Sequence, residues 1–106
     1  MDSKFTTTCT GNVVKVELCG RLDATNSEGL QAELKQFAGK GIAQLVFLAR
    51  DLEYISSAGL RVIIFAKQKI GVDAHIFLVG ASEAVLNVIK MSGLDNFMTI
   101  KDAWTD

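Results

Sequence analysis

Two short runs, AQLVFLA at residues 43–49 and AHIFLVG at 74–80, are apolar almost without interruption. A strand with one wet face alternates, so a continuous apolar run predicts a strand covered on both faces, inside a sheet. Between the two runs lies YISSAGLRVIIFAKQKI (54–70), where Leu60, Ile63, Ile64 and Ile70 form a usable helical core stripe. Strand, helix and strand in that order join parallel neighbours through a right-handed crossover. The chain is therefore constrained to an α/β sheet before any other residue is considered.

The flanking segments extend the same pattern. In VVKVELCG (13–20), Val14, Val16 and Leu18 share one face, with Lys15 and Glu17 on the other, as in a half-buried strand. KFTTTCT before it is β-rich, and Gly11-Asn12 is a turn signal, so these two strands predict an antiparallel pair at a sheet edge. TNSEGLQAELKQFAGKG (25–41) predicts a helix buried through Leu30, Leu34, Phe37 and Ala38. Thr25 and Glu28 fit a capping box at its start, and Gly39 or Gly41 supplies its stop. SEAVLNVIKMSG (82–93) predicts a third helix, opened by Ser82, ended by Gly93 and buried through Val85, Leu86 and Ile89. FMTI (97–100) is read as an added edge strand, and KDAWTD (101–106) as the start of a shortened last helix. The 106 residues contain no proline, no repeat and no linker-like segment, which predicts one domain over 1–106.

Charge and composition exclude several classes. Eleven basic residues face twelve acidic ones without clustering of either sign, whereas binding to a nucleic acid backbone calls for a basic patch. No apolar run reaches the about 18 residues that cross a bilayer, so no membrane insertion is expected. MDSKFTTTCTGN lacks the basic and apolar blocks of a signal peptide, which points to the cytoplasm. Cys9 and Cys19 form no CxxC and are expected as small buried apolar groups in strands, with no metal role.

In this fold class, sites gather where strands end and helices begin. The three such junctions are residues 23–27, 56–59 and 80–83. None carries GxGxxG or GxxxxGK[ST], and no GxSxG elbow occurs, so no nucleotide cofactor is expected. His75, the one histidine, has no spaced metal partner and sits inside a predicted strand, in a structural role. Asp23 fits a turn-forming acid at a helix start; it has no second acid beside it for general acid–base work. Ser57 and Ser56 can each cap the second helix. Ala58 and Gly59 are small, so a second surface can approach the Ser57 hydroxyl closely. With no base available in the chain, Ser57 suits a substrate of another protein's active site better than a nucleophile. A phosphoryl group there would place nearly two negative charges at a helix start, which the fold would tolerate and an acidic or apolar partner would not.

CGRLDATNSEGL, DLEYISSAGLRV and IKMSGLDNFMTI, in that order and spacing, resemble the corresponding segments of bacterial anti-sigma factor antagonists, the STAS-domain proteins. The resemblance runs over nearly the whole chain and is most specific in its middle and last segments. It implies a STAS-like α/β domain: a mostly parallel sheet of about four or five strands with an antiparallel N-terminal edge strand and about three or four helices. It also implies a non-enzymatic switch, monomeric alone, that binds an anti-sigma factor serine kinase and so releases a sigma factor. Phosphorylation by that kinase ends the complex, and a serine phosphatase restores it.

Setting Gly59-Leu60 on the family's Gly-Leu puts Ser57 at the phosphorylated position, with Ser56 as second choice. Asp23, Thr25, Ser56, Ser57, Ala58, Gly59 and Arg61 then form the implied partner-binding set. The chain departs from the family pattern at Leu48 and Ser56, where a polar or acidic residue is usual. Two other roles are weighed against the switch. One is a constitutive STAS subunit of a larger assembly, such as a lipid-transport ATPase or a stress-signalling scaffold. The other is a small nucleotide-binding or hydrolytic enzyme, disfavoured by the missing phosphate loop and base–nucleophile pair.

Overall fold

The computed structural model describes residues 4–70 and 74–103. The elements are β1 (Lys4–Thr10), β2 (Val13–Leu22), α1 (Ser27–Lys35), β3 (Gln44–Ile55), α2 (Ser57–Lys69), β4 (His75–Val79), α3 (Glu83–Ser92), a 3₁₀ turn (Leu94–Phe97) and β5 (Thr99–Lys101). They form a single α/β domain with one mixed five-stranded sheet in the order β1-β2-β3-β4-β5; β1 is antiparallel to β2 and the other pairs are parallel.

Each crossover steps one strand further in the same direction. Right-handed crossovers that all step one way deposit their helices on one face. Accordingly Val14, Val16, Leu45, Phe47, Ile76 and Leu78 join one core with Leu30 and Leu34 of α1, Val62 and Ile63 of α2, and Val85 and Ile89 of α3. The opposite face carries a separate small cluster of Val46, Phe77 and Val79, with Val13 and Leu48 against it. The two-sided cover expected of β3 is thus unequal: three helices on one side, a small apolar group on the other.

Between the Glu17–Leu48 and Leu22–Ile55 pairs, β2 advances five residues and β3 seven, through two irregularities in the ladder. Such bulges bend a strand and re-aim its side chains. Here they bring Tyr54 opposite Arg21 and Ile55 opposite Leu22, at the strand ends that carry two of the three junctions.

Several local expectations are corrected. The Thr25–Glu28 capping box does not form, because the Thr25 hydroxyl and N–H both bond to Asp23; α1 starts one residue later, with Asn26 at its N-cap. Helix α1 ends at Lys35, so Ala38 lies beyond it and is exposed. The buried stripe of α2 is Gly59, Val62, Ile63 and Ala66, and Ile64 is 39% exposed. Two small residues let α2 approach closely, a contribution that an apolar pattern does not register. Cys9 is exposed and Cys19 half-buried, because Cys9 sits at the far end of the edge strand. Lys101 closes β5, and residues 102–103 are bends rather than a helix; the rest of KDAWTD lies outside the described residues. The third helix agrees with expectation in Ser82, whose hydroxyl accepts from the Val85 N–H, and in Gly93, left-handed at φ 80°.

Candidate functional site

Just past the last ladder pair of β2 and β3, the Ser56 N–H donates to the Leu22 carbonyl at 2.9 Å. That tether holds Ser56 extended, at φ −93° and ψ 176°, so its hydroxyl accepts from the Gly59 N–H at 3.3 Å. Its carbonyl takes the first helical bond, from Leu60. Ser56 is therefore the N-cap of α2. Ser57, next along, is the first helical residue; it is exposed, and its hydroxyl has no hydrogen bond among the described residues. Of two adjacent hydroxyls, one is spent on structure and the other is open to an incoming group. Ser56→Ala should cost about 1 kcal/mol of stability, a typical cap loss. Ser57→Ala should stay within about 0.5 kcal/mol, as an exposed change away from any such feature. Urea melts of the two variants check this, and equal losses would contradict the assignment.

Ala58 is half-buried and Gly59 is buried. An ideal Cβ at Gly59 would lie 2.8 Å from the Leu22 carbonyl oxygen and 2.8 Å from Cγ1 of Ile55. The glycine thus seats the first turn of α2 directly against the end of β2. Arg61, one turn after Ser57, is exposed.

The β2–α1 loop is tied together by side-chain hydrogen bonds. Asp23 Oδ1 accepts the Thr25 N–H at 3.0 Å and the Thr25 hydroxyl. Asn26 Oδ1 accepts the Asp23 N–H at 3.0 Å, while its amide donates to the Arg21 carbonyl at 2.7 Å. Arg21 Nε stands 3.6 Å from Asp23 Oδ2, and the guanidinium lies over the Tyr54 ring, 4.2 Å from its centroid. The Thr25 hydroxyl and then its N–H, with a smaller contribution from Arg21, hold the Asp23 carboxyl below its ordinary range.

A carboxyl lowered on folding stabilises above its unfolded pKa, and that contribution is lost as pH falls through the folded value. Asp23→Asn should therefore flatten the fall in melting temperature below about pH 4, leaving neutral-pH curves nearly parallel. A wild-type and an Asn variant with the same acid-limb slope would contradict this. Asp23, Thr25, Ser56, Ser57, Ala58, Gly59 and Arg61 fall on the two junctions that the Leu22–Ser56 bond joins. Arg21 and Tyr54 stand at the same strand ends and escaped sequence reasoning, although both lie inside the segments quoted above.

His75 begins β4, at the other end of the strands. It bonds Thr99 at 2.6 Å and stacks on Phe77, tying β4 to β5. It is no base for Ser57. Among the described residues no cluster of His, Cys, Asp and Glu could hold a metal ion, and no helix is long and apolar enough to cross a membrane.

A one-sided sheet with a capped helix presenting an open serine beside an ordered acidic turn defines a recognisable class. Residues 4–105 match the STAS domain, and the chain belongs to that family. Over 77 residues it is 39% identical to BtrV of Bordetella bronchiseptica, named as a candidate anti-sigma factor antagonist; the match covers 72% of this chain and 66% of that relative. A crystal structure of an anti-sigma factor antagonist from Mycobacterium paratuberculosis superposes with a TM-score of 0.82 at 19% identity, over 96% of this chain and 87% of that one. The antagonist SpoIIAA in its unphosphorylated form gives 0.81 at 20% identity, over 92% and 87%. The phosphorylated form of SpoIIAA from Bacillus gives 0.74 at 21%, over 92% and 90%. These structural likenesses carry the fold.

Proposed function

We propose that the chain is a phosphorylation-controlled antagonist of an anti-sigma factor. The face around Ser57 docks on an anti-sigma factor that is also a serine kinase, and the sigma factor is released. The kinase then transfers a phosphoryl group: a bond forms from the Ser57 oxygen to the γ-phosphorus of a nucleoside triphosphate, and the bond from that phosphorus to its bridging oxygen breaks. The kinase's own base takes the hydroxyl proton. The new group, carrying about −1.5 to −2 charges, opposes the docked surface and ends the complex. A serine phosphatase returns the hydroxyl by hydrolysis. The switch works in the cytoplasm, with this chain monomeric between partners.

One observation carries the reading. Ser56 takes the capping role, so the exposed Ser57 hydroxyl is free for transfer without loss of the helix start. The relatives' names support the partner class, and phosphorylated SpoIIAA supports the chemistry by analogy.

The test is the intact mass of the protein from its native host, with and without a candidate kinase gene. A gain of one phosphate on the peptide containing residues 56 and 57, lost in the deletion, supports the switch. Protein free of phosphate under every growth condition would replace it with a constitutive STAS subunit.

A further inference from the structure

Helix α2 places Ser57 and Arg61 four residues apart, both exposed, on one face. Residues at that spacing are neighbours, with Cβ atoms about 5–6 Å apart. Helical side chains also lean toward the N-terminus, so a long side chain at 61 extends back over the turn that holds 57. No acid lies in the first turn of α2, and among the described residues nothing pairs with the Arg61 guanidinium. Of the charges at the same strand ends, Arg21 contacts Asp23 and Tyr54, and Asp23 accepts from Thr25; Glu53, exposed on β3 four residues before Ser57, is an acid that cannot hold a phosphate. The basic groups in the last turn of α2, Lys67 and Lys69, lie about three turns from Ser57 along the helix.

We propose that Arg61 is the internal counter-ion of phosphorylated Ser57, folding back one turn to hold the phosphoryl oxygens. The planar guanidinium suits this, since it can give two parallel N–H bonds to one phosphate. The inference rests on Ser57 being the modified residue. It adds a second effect to phosphorylation. The group adds negative charge to the docking face and at the same time withdraws from that face the cation that Arg61 presents while Ser57 carries a hydroxyl. A partner that has met Arg61 with a carboxylate loses that contact together with the steric fit.

The experiment installs phosphoserine at position 57 of the full chain by stop-codon suppression, so no kinase is needed. Phosphorus NMR titration then follows the second ionisation of the phosphate in the wild-type sequence, Arg61→Ala, Arg61→Lys and Lys69→Ala. A nearby cation favours the dianion, so Arg61→Ala should shift the titration midpoint upward by about half a pH unit or more. Arg61→Lys should keep part of the lowering, Lys69→Ala should leave the midpoint unmoved, and added salt should narrow the gap between wild type and Arg61→Ala. Equal midpoints for wild type and Arg61→Ala would overturn the proposal, as would a shift of the same size in Lys69→Ala. Either failure leaves the assignment of Ser57 standing, since that is decided by the native mass and not by this titration.

Discussion

Gly59→Ala will lower the melting temperature by roughly 8–16 °C, although alanine is the better helix former. At an exposed helix position the exchange gains up to about 1 kcal/mol. Here the added carbon would meet the Leu22 carbonyl oxygen at 2.8 Å and the Leu22 and Ile55 side chains at 2.9 and 2.8 Å. The oxygen belongs to backbone already bonded to the Ser56 N–H, so it cannot swing aside without breaking the tether between β2 and α2. Overpacking of this kind costs about 1–3 kcal/mol. With three contacts under 3 Å, one of them to backbone, the upper end applies; less about 1 kcal/mol of helix propensity, a net loss near 2 kcal/mol remains, which corresponds to the stated shift at about 4–8 °C per kcal/mol for a chain of this size. The control is Gly29→Ala in α1, where the new carbon finds only the Phe5 ring at 3.7 Å, ordinary contact distance. That substitution should raise the melting temperature. One exchange, made in two helices, is thus expected to change sign; calorimetry that found both stabilising would refute the close seating of α2.

Ser57→Asp is expected to weaken binding to a candidate anti-sigma factor kinase, with nucleotide present, by about 100-fold or more. The figure follows from the about 3–5 kcal/mol attached to an unpaired buried charge, discounted because Arg61, one turn on, partly neutralises a carboxylate at 57. Ser57→Ala should bind within a few-fold of wild type, because the hydroxyl makes no bond inside the chain that its loss would release. Neither change touches the cap, so circular dichroism should be unaltered and the difference belongs to the docking face. Isothermal titration of both variants decides the matter: if the aspartate binds as wild type does, charge at residue 57 does not control the complex.

Much of the fold was legible because local pattern and global topology agree. The alternation of β2, the apolar runs of β3 and β4, Ser82 at one helix start and Gly93 at its end each specify an element from a few residues. The strand–helix junctions followed from that order, and with them the neighbourhood of Asp23 and Ser57. Illegible features depend on what lies across space. Ser56 and Ser57 fit the cap equally by sequence, and the choice is made by the Leu22 carbonyl, which fixes Ser56 in extended geometry. Thr25 lost its capping role to a carboxylate two residues away. Gly59 and Ala66 are core residues of α2 because they are small, a property that apolar spacing ignores. The Arg21–Tyr54 contact exists only through ladder irregularities that no local signal announces.

The strand order has a consequence for how such a chain is made. Because each new strand pairs with the one just before it, a polypeptide leaving the ribosome never has to keep an unpaired ribbon waiting for a distant mate. Assembly can proceed vectorially, each arriving strand meeting a ready template in the strand made just before it.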